Sequence, residues 1–151
     1  MKILITLLTL AFSHAAVAQT TAPLAGVEAP AFLPIEATTV SPSDFIWKKR
    51  LVVVFADSPI DPRFEEQVAI LLARPEVLIE RDMVVIVDTD PAATSEWRMK
   101  LRPRGFAIVL IGKAGGIELR KPVPWNVREL TRIVDKMPLR LEEVRRAKQA
   151  D

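Results

Sequence analysis

Beyond the first twenty residues, the apolar positions gather into short unbroken runs separated by polar punctuation. Leu51-Val52-Val53-Val54-Phe55, Met83-Val84-Val85-Ile86-Val87 and Phe106 to Ile111 contain no polar residue. Runs of this length, rich in β-branched side chains, predict strands buried on both faces. Ile117 and Leu119 instead alternate with Glu118 and Arg120, the pattern of a half-exposed edge strand. Between the runs the period lengthens. Phe64, Val68, Leu71 and Leu72 recur at helical spacing until Arg74-Pro75 ends the pattern. Ser58 or Asp61 can cap this helix, each followed by a proline suited to its first position.

A second short helix is expected at residues 76–80. Asp90 then caps and Pro91 opens a helix carrying Ala93, Trp97 and Leu101 on one face. Asn126 and Glu129 form a capping box ahead of Val127, Leu130, Ile133, Val134 and Met137. Pro138 opens a last, charged helix expected to fray toward Asp151. The order is β-α-β-α-β-β-α. A right-handed crossover makes the first two strands parallel neighbours, and the last two form a hairpin around the glycine turn at residues 112–116. The expected architecture is an α/β sandwich over residues 44–137, with a central four-stranded mixed sheet. Residues 138–151 form a charged helical tail.

The N-terminus changes the compartment. Lys2 precedes an apolar stretch from Ile3 to Phe12, and Ala16-Val17-Ala18 supplies the small-x-small pattern read by a signal peptidase. Residues 1–18 are therefore expected to be a cleaved signal, leaving Gln19 first. The stretch is too short to cross a bilayer core of roughly 30 Å, so no stable membrane span is expected after cleavage. A periplasmic or secreted location follows. Residues 19–43, rich in Ala, Thr, Pro and Glu, show no apolar period and are expected to be a flexible tether.

Composition then removes whole classes of chemistry. The chain has no cysteine and no tyrosine, and its one histidine, His14, lies within the expected signal. An exported domain without disulfides must be held by core packing alone. Cleavage would remove Lys2 and leave 20 basic residues against 19 acidic ones, a balance that gives no drive toward nucleic acid. No motif specifies a catalytic residue or a cofactor.

The strand and helix order is that of the thioredoxin core, and residues 104–116 resemble the thioredoxin stretch of glycine, strand and glycine turn. More specifically, Phe45-Ile46-Trp47-Lys48-Lys49-Arg50-Leu51, Phe55-Ala56-Asp57-Ser58, Asp88-Thr89-Asp90 and Lys100-Leu101-Arg102-Pro103-Arg104-Gly105-Phe106 resemble a bacterial family of unknown function. That family is related to the peroxiredoxin-like DUDES domain. The resemblance spans Phe45 to Met137. It places the redox Cys-x-x-Cys at Pro59-Ile60-Asp61-Pro62 and the thiol-facing proline at Phe106, so both halves of the redox apparatus are missing. Without a thiolate, disulfide exchange and cysteine peroxidase chemistry are excluded.

Ligands of open α/β sheets favour the carboxyl ends of parallel strands. That edge carries Asp57, Ser58 and Asp61 after the first strand, and Asp88 and Asp90 after the second. The carboxylates could coordinate a hard cation, or simply cap helices and pair with Arg63, Arg102 and Arg104. Ser58 lacks both a nucleophile-elbow context and a histidine base, which favours a capping role. Arg102, Arg104, Lys113, Arg120, Lys121 and Trp125 form a basic group, and arginine and tryptophan are enriched at interface hot spots. The glycine turn precedes no helix and so is not a phosphate loop. The candidate partner-binding surface is thus Asp57, Ser58, Asp61, Asp88, Asp90, Arg102, Arg104 and Trp125. The expected function is a non-redox binding module for a protein, peptide or envelope component. The alternative is a cysteine-independent enzyme or metal-dependent hydrolase using the aspartates.

Overall fold

A computed structural model describes residues 32–150; the expected signal and residues 19–31 of the expected tether lie outside them. The three apolar runs form strands β2 (Arg50–Phe55), β3 (Met83–Asp88) and β4 (Ala107–Ile111), and the alternating segment forms β5 (Ile117–Lys121). Two residues, Ile35–Glu36, make β1. The sheet order is β1-β3-β2-β4-β5. β2 runs parallel to β3, with Val53 opposite Ile86, and antiparallel to β4, with Val53 opposite Val109. β4 and β5 form the expected hairpin. The fold is thioredoxin-like α/β, with five strands where four were expected.

Helices cover both faces. α1 (Pro62–Leu72), α2 (Pro75–Ile79) and α4 (Val127–Asp135) supply Leu71, Leu78, Leu130 and Val134 to a core with Val52, Val54, Val85, Ile108 and Leu110. α3 (Glu96–Leu101) packs Trp97 and Leu101 against Val53, Phe55, Ile86 and Val109 on the other face. Alternate residues of each central strand thus serve opposite cores, which is why those strands read as unbroken apolar runs. Gln67, buried in α1, pins the loop before α4: its side chain accepts from the Trp125 N–H at 2.5 Å and donates to the Trp125 carbonyl at 3.0 Å.

Two expectations need correction. The expected tether is ordered from Phe32 to Ser43, because the Trp97 side has surface to cover. Ala37 is buried, the Trp97 indole N–H donates to Val40 O at 2.9 Å, and Ser41 Oγ donates to Glu96 at 2.7 Å. β1 adds to the edge of β3 by the same docking. Asp90 caps only a 3₁₀ turn, Pro91–Ala93, by accepting from Ala92 N. Thr94 then turns left-handed, and Ser95, whose Oγ accepts from Arg98 N, starts the helix five residues later than expected. The charged tail forms helix α5 (Pro138–Ala150), which buries no residue fully but is latched by ion pairs.

That latch lies at the amino end of β2. Arg50 is fully buried; its guanidinium donates to Glu143 at 3.1 Å and to Arg81 O at 2.9 Å. Lys113 bonds Glu143 at 2.7 Å and Asp82 at 2.8 Å, and Lys49 reaches Asp82 at 3.2 Å. Burial pushes the Glu143 carboxyl up, but Lys113 and Arg50 together hold it below its ordinary value. Lys113 holds the Asp82 carboxyl low against the opposing effect of burial, with help from Lys49. Burial pushes the Lys113 ammonium down, and Asp82 and Glu143 outweigh it to raise it.

Removing Glu143 strands a buried guanidinium. Glu143→Ala is expected to destabilise the fold by about 3 kcal/mol in chemical denaturation. Two folded carboxylates with lowered pKa add stability that is complete above the unfolded carboxylate range and is lost as pH falls through the folded values. Denaturation midpoints should therefore drop on acidification below about pH 5, and drop less steeply in Glu143→Ala.

Candidate functional site

The parallel strands β2 and β3 end together, and their last carbonyls have no further ladder partners. Ala56 N–H donates to Asp88 O at 2.9 Å, which closes one of these gaps. The rest is closed by Arg98, three residues into α3. Its Nε donates to Asp88 Oδ1 at 2.6 Å, and another guanidinium nitrogen donates to Ala56 O and, at 3.2 Å, to Asp88 O. The Asp88 side chain is only 3% exposed. Its second oxygen accepts a short hydrogen bond from Ser95 Oγ. The guanidinium carbon lies 5.6 Å from the Phe55 ring centroid, and a terminal guanidinium nitrogen lies 3.7 Å from the Asp57 carboxylate. A carboxylate in this position is tolerable only because it is paired and fully hydrogen-bonded.

Around this clamp the chain assembles a polar rim. Asp57 is 63% exposed, and its carboxylate lies against Gly105, where an added Cβ would sit 3.8 Å from Oδ2. Gly105 has φ +63°, so the turn into β4 favours glycine there. Ser58 Oγ accepts from Ile60 N, and Ile60 projects into solvent. Asp61 caps α1 by accepting from Arg63 N at 2.9 Å and pairs with the Arg63 guanidinium at 2.7 Å. That hydrogen-bonded pair holds the Asp61 carboxyl below its ordinary value and raises the Arg63 guanidinium. Arg63 in turn lies over the Phe106 ring, 5.4 Å from its centroid. The Lys121 ammonium lies 4.6 Å from the centroid of the half-buried Trp125 ring.

All eight candidate residues sit at this end of the sheet, but they do not act on one another as the simplest capping-and-pairing scheme expects. Arg63 pairs with an aspartate there; Arg102 and Arg104 do not. Both are exposed, and neither has an ion-pair partner among the described residues. Arg102 closes α3 in a left-handed conformation, φ 48°. Lys113 leaves the basic group altogether, since it lies at the far end of β4 in the α5 latch. The carboxylates also fail to converge: among the described residues no three His, Cys, Asp or Glu side chains form a metal-binding group. Asp61 and Asp90 are capping and Asp88 is locked to Arg98.

The pairing residue that sequence reading missed is Arg98. Its signal was local inconsistency. Asp88 ends an otherwise apolar strand, and a carboxylate buried there requires a compensating cation; Arg98, ten residues on, is that cation.

With the geometry in place, comparison identifies the lineage. Residues 41–143 match the family described as Domain of unknown function (DUF4174), and the chain belongs to it. No curated protein matches the sequence. Among solved structures, the reduced 2-Cys peroxiredoxin of Plasmodium vivax is similar at 17% identity, with a TM-score of 0.51, over 64% of this chain and 81% of that one. A chloroplastic thioredoxin z is 23% identical, with a TM-score of 0.43, over 58% and 77% of the two chains. Prx1a of Plasmodium yoelii is 20% identical, with a TM-score of 0.44, over 64% and 77%. At such identities the first of these speaks for the fold alone: a thioredoxin-like domain of unknown function, here without any cysteine.

Replacing Arg98 by leucine leaves the Asp88 carboxylate buried with Ser95 as its one remaining side-chain partner. The expected loss is about 3 kcal/mol of stability, measured by denaturant unfolding. Arg98→Leu combined with Asp88→Leu should recover much of it, because the uncompensated charge is then gone.

Proposed function

We propose that this protein is an exported, non-redox binding module that captures an acidic segment of a protein or peptide at the carboxyl end of its parallel strands. The observation that carries this reading is the distribution of spare charge at that end. Asp61, Asp88 and Asp90 are engaged in caps and internal bonds. Arg102 and Arg104 are exposed and lack ion-pair partners among the described residues. Arginine presents a planar fork of donors suited to carboxylates, and an incoming acidic chain would meet two of them. Exposed Ile60 and the half-buried Trp125 offer apolar contact beside those charges. Export is supported by Lys2, the apolar stretch at 3–12 and Ala16-Val17-Ala18, which make a periplasmic or secreted site of action the expected one. The complete lack of cysteine removes thiol turnover as a competing role.

The test is capture from envelope extract and titration with an acidic peptide, using the wild type and Arg102→Glu/Arg104→Glu. Charge reversal should weaken binding by about tenfold or more, and wild-type binding should fall as salt rises. Equal capture and equal affinity in both proteins would remove this surface. Mass measurement of protein recovered from the periplasm should give an N-terminus at Gln19; recovery of an uncleaved cytosolic chain would overturn export.

A further inference from the structure

At the opposite end of the sheet, beneath the junction of α4 and α5, lies a half-open cavity of about 430 Å³. Its size falls within the range of small-molecule sites. Its apolar wall includes Trp47, Met137 and Leu139, and its polar wall includes Arg50, Lys113 and Lys136.

Three features set this cavity apart from a packing gap. Trp47 holds φ +63°, a conformation that bulky residues rarely adopt, while the residue is 68% exposed. Its backbone N–H donates to Lys113 O at 2.7 Å, so the turn that strains it also sets it beside the cavity. A strained residue that gains no burial from its strain is a candidate for a binding role. Second, the buried Arg50 guanidinium retains an Nε–H with no acceptor among the described residues. Third, the charge is unequal. Asp82 and Glu143 answer Lys49, Arg50 and Lys113, and Glu118 is the one acid on the lining, whereas Lys136 is exposed and without an ion-pair partner among the described residues. One cation more than the acids is left facing an apolar wall.

We propose that this cavity binds a small amphipathic monoanion, a free carboxylate on an aryl or branched-alkyl body. The apolar body rests against Trp47, Met137 and Leu139, and the carboxylate lies toward Lys136 and Arg50. The site is separate from the surface at the carboxyl strand ends and does not depend on it.

The probes are 3-phenylpropanoate and its uncharged amide, titrated by calorimetry into the purified protein. The acid should bind saturably in the millimolar range or tighter, and the amide about tenfold more weakly, because it forfeits the charge-assisted bonds. Lys136→Glu should weaken the acid by a similar factor without changing the amide. Trp47→Asn, which places a residue tolerant of left-handed backbone at that turn, should abolish binding of both while leaving Tm unchanged or higher. Arg104→Glu should bind the acid as the wild type does, which separates this site from the other. Equal affinity for acid and amide, undiminished binding by Trp47→Asn, or no saturable binding of the acid would each overturn the proposal.

Discussion

A carboxylate at the end of a buried strand is the constraint around which this domain is arranged. Asp88 closes an otherwise apolar β3 with almost no access to water. Left alone, an ionised group there would be unfolding pressure on the whole sheet. Arg98 removes that pressure and, with the same fork of nitrogens, takes up the carbonyls of Ala56 and Asp88. To bring Arg98 there, α3 must start at Ser95 rather than at Pro91. Its placement also sets Trp97 beneath Phe45 and Val40. The docking of residues 32–45 is thus a downstream effect of satisfying one charge.

The sequence was most readable where burial is two-sided. β2, β3 and β4 needed only their unbroken apolar runs, and the strong apolar face of α4 marked that helix equally well. Local chemistry also sufficed for the Asp61 cap, whose partner is two residues away. β1 was invisible because two residues have no period; its hydrogen bonds are supplied by the edge of β3, not by its own composition. The helix start was misplaced because Asp90-Pro91 is a sound opening on local grounds, and only Thr94 and the tertiary partners of Ser95 decide otherwise. At the site, the edge and its aspartates were legible from strand order. Which arginine served them was not, since that depends on how α3 is rotated against the sheet. Trp47 stands apart from Trp97 and Trp125 for a related reason: its exposure follows from a left-handed turn that no apolar period reports.

The two ends of the sheet have different electrostatic character. At the carboxyl end a single buried pair is flanked by the Asp61–Arg63 pair and by exposed Arg102 and Arg104, which have no ion-pair partner among the described residues. At the amino end Lys49, Asp82, Lys113, Glu143 and Arg50 form a chain of alternating charges, which Arg140 joins through Glu143. In a chain without thiols, what remains of a thioredoxin-like scaffold is a rigid sheet with two chemically distinct edges.

The manner in which α5 is attached has its own consequence. No residue of this helix is fully buried, and Arg140 grips Glu80, Asp135 and Glu143 where ions in the medium can compete. Screening lengths shorten to roughly 8 Å at physiological ionic strength and further in brine. Apolar cohesion between sheet and helices does not weaken in the same way. Rising ionic strength would therefore act on the two parts of the molecule unequally, loosening the exposed pairs of the last helix while the Arg50–Glu143 bond and the sheet beneath it hold.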